Sequence, residues 1–278
     1  DPRSVDSPVQ RREHPLTAGL LRSGARDLRH HLEAVHAAPA AQPASAETER
    51  SAALISQLVA IEARAEQLAG ARLTWEDETA RLVGDLPALP PSAHEPLKAL
   101  DLLVPGHGAL PVRFAAFDQR FVVPPDRLPA VVNRALTLCR DATLAHVALP
   151  ADEQLDVEFV PGAPWSGFSR YQGHGRSTML INTEWPLSVD RVLDLACHEG
   201  YPGHHVYSTL LEEKLLKGRG WVEFSVNPLF GPNAIIAEGS ANYGIEVAFP
   251  GDEKLAFERD VLYPLAGLDP ASADAYET

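Results

Sequence analysis

Apolar residues recur at three- and four-residue spacing along two early stretches, and this pattern predicts amphipathic helices over 14–36 and 47–69. In the second, "ETERSAALISQLVAIEARAEQLAG", Leu54, Leu58 and Ile61 share one face and Gly70 marks the end. Between them "AAPAAQPAS" reads as a linker or exposed turn. A shorter helix is predicted over 73–84. "LPALPPSAHEP" then interrupts the pattern, and 101–125 reads as irregular connection. From Pro125 the texture changes. "DRLPAVVNRALTLCRDATLAHVAL" predicts a long helix over 126–149, and short strands follow at 154–160, 168–173 and 177–182, with "GHGR" as the turn between the last two. A helix from about Ser188 turns Val192, Leu195 and Ala196 to the core. Two more are predicted over about 205–217 and 232–248. The expected fold class is therefore mainly α with a small antiparallel sheet, in two regions, 1–125 and 126–278.

Bulk properties narrow the function classes. A chain of 278 residues can bury a sizeable core, and 45% hydrophobic with 22% charged residues is ordinary for a globular protein. The net charge is −14, which argues against a nucleic-acid or anionic-membrane surface because no basic patch can neutralise phosphates. No apolar run is long enough to cross a bilayer, and no charged-then-apolar leader opens the chain. The two cysteines, Cys139 and Cys197, cannot make a disulfide framework, which favours a reducing, cytoplasmic compartment. A metal site would have to use His and carboxylate ligands, which suits zinc or another divalent ion.

Residues 196–207, "ACHEGYPGHHVY", concentrate the candidate chemistry. They open like the H-E-x-x-H helix of zinc enzymes, where histidines four apart share a helix face, but Pro202 stands where the second histidine belongs. Residues six apart on a regular helix are separated by about 9 Å along its axis, too far to share an ion. Pro202 lacks the N–H that would bond back to His198, so the helix must bend there, and Gly203 gives the backbone freedom to re-enter it. Either His204 or His205 could then return beside His198; the spacing does not choose. Glu199 is placed to act as general base rather than as a ligand. The acid at the centre of the apolar "IAEGSANYG" makes Glu238 the best third ligand, with a solvated face as the competing account. Tyr243 and Tyr201 are candidate donors to a developing oxyanion.

"HEGYPGHH" followed some forty residues later by "EGSANY" resembles the domain-of-unknown-function family 885, grouped with gluzincin-type zinc metallopeptidases. The first motif falls on His198, Glu199, Pro202, Gly203, His204 and His205, the second on Glu238, Gly239, Ala241 and Tyr243. The resemblance covers about 168–265. It implies a zincin-like fold, a single Zn2+ held by His198, His204 and Glu238 (with His205 the alternate ligand), and Glu199 as general base. The implied reaction is hydrolysis of a peptide or small amide substrate by metal-activated water. "GRSTMLINT" is similar to the family's strand before the histidine helix, which makes Asn182 a candidate substrate contact. Ser240 departs from the family's Trp at that place, and the resemblance implies a further C-terminal helical segment beyond this chain. Under it, 1–125 is an N-terminal helical region and 126–278 the metal-binding catalytic region.

Two readings compete: a non-catalytic helical protein with a structural metal, and a metal-free binding module. His30, His31, His36, His94, His107 and His146 read as surface residues, and His174 as a turn residue that could reach a cleft. Cys197 reads as a small apolar filler and "LEEK" (211–214) as a solvated helix face.

Overall fold

Elements begin where the backbone's unpaired N–H groups find acceptors. In the computed structural model, which describes residues 17–36, 46–84 and 94–277, α1 runs over Ala18–His36, α2 over Ala46–Leu68 and α3 over Trp75–Leu82. Thr74 caps α3 by accepting from the Asp77 N–H at 3.1 Å. The linker 37–45 and most of the Pro-rich 86–96 lie outside the described residues. α4 (His94–Leu103) and α5 (Leu110–Asp118) then fill much of what the sequence presents as irregular connection. The correction has a physical reason. Pro111 sits in the first turn of α5, where its missing N–H costs nothing, and the helix buries no residue, so no apolar stripe announces it.

The chain divides into two compact units. One comprises residues 1–89 with 226–236, the other 90–225 with 237–278, so the change of texture at Pro125 lies inside the second. Within the first, α1 and α2 are tied by charge: buried Glu62 accepts from Arg29 Nε at 2.7 Å. No helix among the described residues is long and apolar enough to cross a membrane.

The second unit is built on α6 (Leu128–Leu144), which buries Val131, Val132, Ala135, Leu136 and Cys139 along one face. Three strands follow, β1 (Gln154–Val160), β2 (Gly167–Gly173) and β3 (Arg176–Asn182). The sheet is mixed rather than antiparallel. β2 and β3 form the expected hairpin, but the order is β1-β3-β2, and β1 runs parallel to β3 from Gln154↔Arg176 to Val160↔Asn182. Three alternating segments separated by turns read as a meander; the sequence carries no signal that β3 inserts between the other two. The consequence is positional. β3 is central, with Met179 and Ile181 fully buried, and β2 is left as an edge.

After the sheet, Ser188 caps α7 (Val189–Leu195) by accepting from the Arg191 N–H. The helix widens to a π turn over Ala196–Gly200, and α8 (His204–Leu210) widens in the same way over Leu211–Lys217. π turns inside α-helices occur frequently at functional sites. α9 spans Pro232–Ala248, and α10 (Glu253–Phe257), α11 (Tyr263–Ala266) and α12 (Ala273–Glu277) add a closing layer that the sequence pattern did not announce. Tyr263 and Leu262 from this layer are fully buried and join the cluster of Phe121, Val131, Met179 and Leu193.

Candidate metal centre

Pro202 ends the π turn, and the Tyr201–Pro202 peptide bond is cis. Gly203 takes φ −71° and ψ −133°, outside the helical and extended regions open to other residues. A Cβ there would also lie 1.9 Å from the carbonyl oxygen of His198 and 2.4 Å from that of Cys197. Gly203 N–H donates to the Cys197 carbonyl at 2.9 Å. The excursion therefore folds back onto the preceding turn so closely that only glycine fits, and this contact brings a histidine six positions on beside His198.

That histidine is His204. The His198 and His204 rings stand perpendicular, centroids 4.7 Å apart. Glu238 reaches both, with Oε2 3.4 Å from His198 Nε2 and Oε1 3.4 Å from His204 Nε2. One donor atom from each of the three residues lies within 4.8 Å of the others. The 3.4 Å separations exceed ordinary N–H···O lengths. Each is close to the roughly 3.4 Å edge of a tetrahedron with bonds near 2.1 Å, the two contacts using different oxygens of Glu238. Burial lowers the His204 pKa, and the neighbouring His198 adds to this against the opposing pull of Glu238, so the ring favours the neutral form a metal requires. Two imidazoles and a carboxylate, with Glu238 half exposed, fit a divalent ion with a position left open to solvent.

α9 delivers Glu238 because its buried stripe is small: Ala237, Ala241, Gly244, Ile245 and Ala248. A Cβ on Gly244 would press to 3.3 Å from the Pro202 ring, so the helix rides directly on the bend that positions the histidines.

Glu199 projects from the π turn and is 6% exposed. Burial and the charge of Glu238 push its pKa up to about 7, while the adjacent Ser169 backbone and the charge of Arg191 oppose the shift. Ser169 belongs to β2, so the edge strand lies beside the acid. Gly167 of the same strand makes room, since a Cβ there would sit 2.8 Å from Leu195 Cδ2 and 3.6 Å from Glu199 Cγ. Neither residue stands out in the sequence.

His205 faces the other way. It is fully buried, with Nε2 2.8 Å from Glu153 Oε2 and Nδ1 2.8 Å from Ser177 Oγ. A carboxylate only accepts, so the neutral ring donates from Nε2 and accepts from the serine hydroxyl. His205 thus joins a core network and not the His198–His204–Glu238 cluster. Tyr201 belongs to the same network: its hydroxyl donates to Glu153 at 2.7 Å, which commits it to the core instead of an oxyanion. Arg140 Nη2 completes the set at 2.7 Å. Burial pushes the Glu153 carboxyl up, but the hydrogen bonds from Tyr201, His205 and Arg140 outweigh it and hold the group below its ordinary range. No motif flags Glu153.

Tyr243 stands on the outer side of α9, 66% exposed. Asn182 is fully buried and its side chain is spent on the backbone, Nδ2 donating to the Ala163 carbonyl at 2.7 Å and Oδ1 accepting from the Glu184 N–H at 3.0 Å. It shapes the loop before β2 and has no group to offer a substrate. "LEEK" is likewise not a solvated face throughout. Glu212 is buried and accepts from the Tyr171 hydroxyl at 2.5 Å and the His174 N–H at 2.7 Å, which holds the β2–β3 turn. His174 itself points out from that turn with positive φ.

No family model matches the chain, and neither a curated protein nor a solved structure matches it, so the reading of the site rests on its own residues and geometry.

Proposed function

We propose that this chain is a zincin-like hydrolase of peptide or other small amide bonds, in which His198, His204 and Glu238 hold a zinc ion and Glu199 is the general base. One observation carries the reading: three donor atoms converge within 4.8 Å, and beside them lies a carboxylate with a pKa near 7. Zinc in such a site supplies Lewis acidity toward the scissile carbonyl and lowers the pKa of water.

The protein's own part follows from where the groups sit. A base with a pKa near the working pH is ionised often enough to accept a proton and acidic enough to return it. Glu199 takes the proton of the attacking water on its carboxylate and passes it to the leaving nitrogen. The Ser169 backbone on β2 lies beside that carboxylate and favours its ionised form. β2 is an edge strand beside Glu199, so an extended substrate backbone can add to it and reach the centre with its amide aligned. With the Tyr201 hydroxyl committed to Glu153, Tyr243 is the remaining phenol candidate for oxyanion stabilisation. A purely structural metal is disfavoured because three protein donors with a half-exposed Glu238 leave the shell open, whereas structural zinc sites close with four.

The test is a pair of measurements on Glu199→Gln. The variant should retain one zinc per chain by elemental analysis while hydrolysis of an unblocked peptide mixture falls by about 10²–10⁴-fold. Hydrolysis at the original rate removes Glu199 as base. Absence of zinc from the unsubstituted protein, reconstituted with excess metal, removes the function.

A further inference from the structure

The chain has two cysteines, and the fold brings them together across 58 positions: Cys139 Sγ on α6 and Cys197 Sγ on the π turn are 2.7 Å apart, both fully buried. A sulfur–sulfur bond is about 2.05 Å long, so the two sulfur atoms lie within about 1 Å of bonding distance. We propose that Cys139 and Cys197 form a covalent modification site, closed into a disulfide by a small peroxide. Burial sets the reagent class. Both sulfurs are fully buried in the core, so the oxidant must be small and uncharged, and hydrogen peroxide is hardly larger than water.

The chemistry balances without another participant. Burial pushes the Cys139 thiol well above its ordinary value, so the thiolate forms only when the core opens transiently. That thiolate attacks a peroxide oxygen, the O–O bond breaks, and a sulfenic acid and hydroxide result, the hydroxide leaving as water with the thiol's proton. The second thiol attacks the sulfenic sulfur, the S–OH bond breaks, and a second water departs. Two thiols are oxidised by two electrons in all, and one peroxide is reduced to two waters.

The location gives the bond a consequence. Cys197 precedes His198, and its carbonyl accepts the Gly203 N–H on which the return of His204 depends. A Cys139–Cys197 bond staples that turn to the long helix of the core. This site stands independently of the hydrolase reading, because its test uses neither metal nor substrate.

The experiment treats the native, metal-free protein with hydrogen peroxide, quenches it, and alkylates it in denaturant without reductant before peptide mapping. The expected result is a peptide linking residues 139 and 197, loss of both titratable thiols, and their return with dithiothreitol. The oxidised protein should melt about 5–10 °C higher, since a bridge closing a loop of this length constrains the unfolded chain. Cys139→Ala and Cys197→Ala, treated identically, should show neither linked peptide nor upward shift. Two alkylated cysteines after oxidation, separate sulfinic or sulfonic acids, or a link found only between two chains would each overturn the proposal.

Discussion

His204 and His205 are neighbours in sequence and belong to opposite kinds of site. His204 opens toward Glu238 and His198 on the partly exposed side of α8, at distances that suit an ion between the groups better than direct hydrogen bonds. His205 has both ring nitrogens satisfied at 2.8 Å, and its partner Glu153 takes bonds from His205, Tyr201 and Arg140. An under-satisfied cluster has capacity to bind; a saturated one has capacity only to hold. One residue step along the helix, about 100° of rotation, thus separates a group available for chemistry from a group fixed for architecture. The contrast between the two sites is what substitutions should be designed to break.

The largest expected effect comes from crossing the two histidines. His204→Ala should weaken zinc binding by more than about 100-fold, since removal of a ligand costs more than the 10–100-fold typical of its supporting partners. His205→Ala should leave zinc stoichiometry near that of the unsubstituted protein while lowering stability, because Glu153 loses a donor in a buried place. Isothermal titration with zinc alongside urea unfolding separates the outcomes. Metal lost equally in both variants would merge the two sites into one.

Much of the fold was legible because it depends on periodicity. α2 and α6 carry the stripes that long helices need, and the three strands fall within about a residue of their predicted limits. α5 was not legible, as a helix without a buried face leaves no pattern. Neither was the parallel pairing of β1 with β3, since strand order is decided by packing at long range. In the His198–His204–Glu238 cluster, the spacing of His198, Pro202 and Gly203 posed the geometric problem and left His204 and His205 equal. The resemblance already implies His204; what the sequence does not show is the backbone contact that puts it there, the return of Gly203 onto the His198 and Cys197 carbonyls. Glu153, Ser169 and Gly167 had no sequence signal, because each acts through a partner far away in the chain.

A smaller effect sharpens the saturated side. Glu153→Gln should cost about 2–3 kcal/mol at neutral pH, since it removes the charge that three donors surround. The sign of the pH dependence follows from the depressed carboxyl. Its stabilising contribution is fully present above the unfolded value of 4.5 and is lost as pH falls through the lower folded value. The gap in unfolding free energy between the two proteins should therefore hold from pH 7 to about 4.5 and close in more acid solution. A gap that widens in acid would mean that Glu153 is protonated in the folded chain.

The smallest effect decides where Tyr201 belongs. Tyr201 is 4% exposed, its ring lies 5.0 Å from that of His205, and its hydroxyl meets Glu153. Tyr201→Phe keeps the ring packing and deletes one hydrogen bond to a buried carboxylate, which should cost about 1–2 kcal/mol of stability. It should leave zinc affinity and kcat/KM within about twofold, because a donor pointed at Glu153 is not pointed at a reacting carbonyl. Loss of an oxyanion donor would instead lower kcat by about 10²–10³-fold at unchanged stability. The two accounts therefore move different observables. A Tyr201→Phe protein with full stability and a collapsed kcat would place the phenol in the open site and would require its hydroxyl to leave Glu153 during turnover.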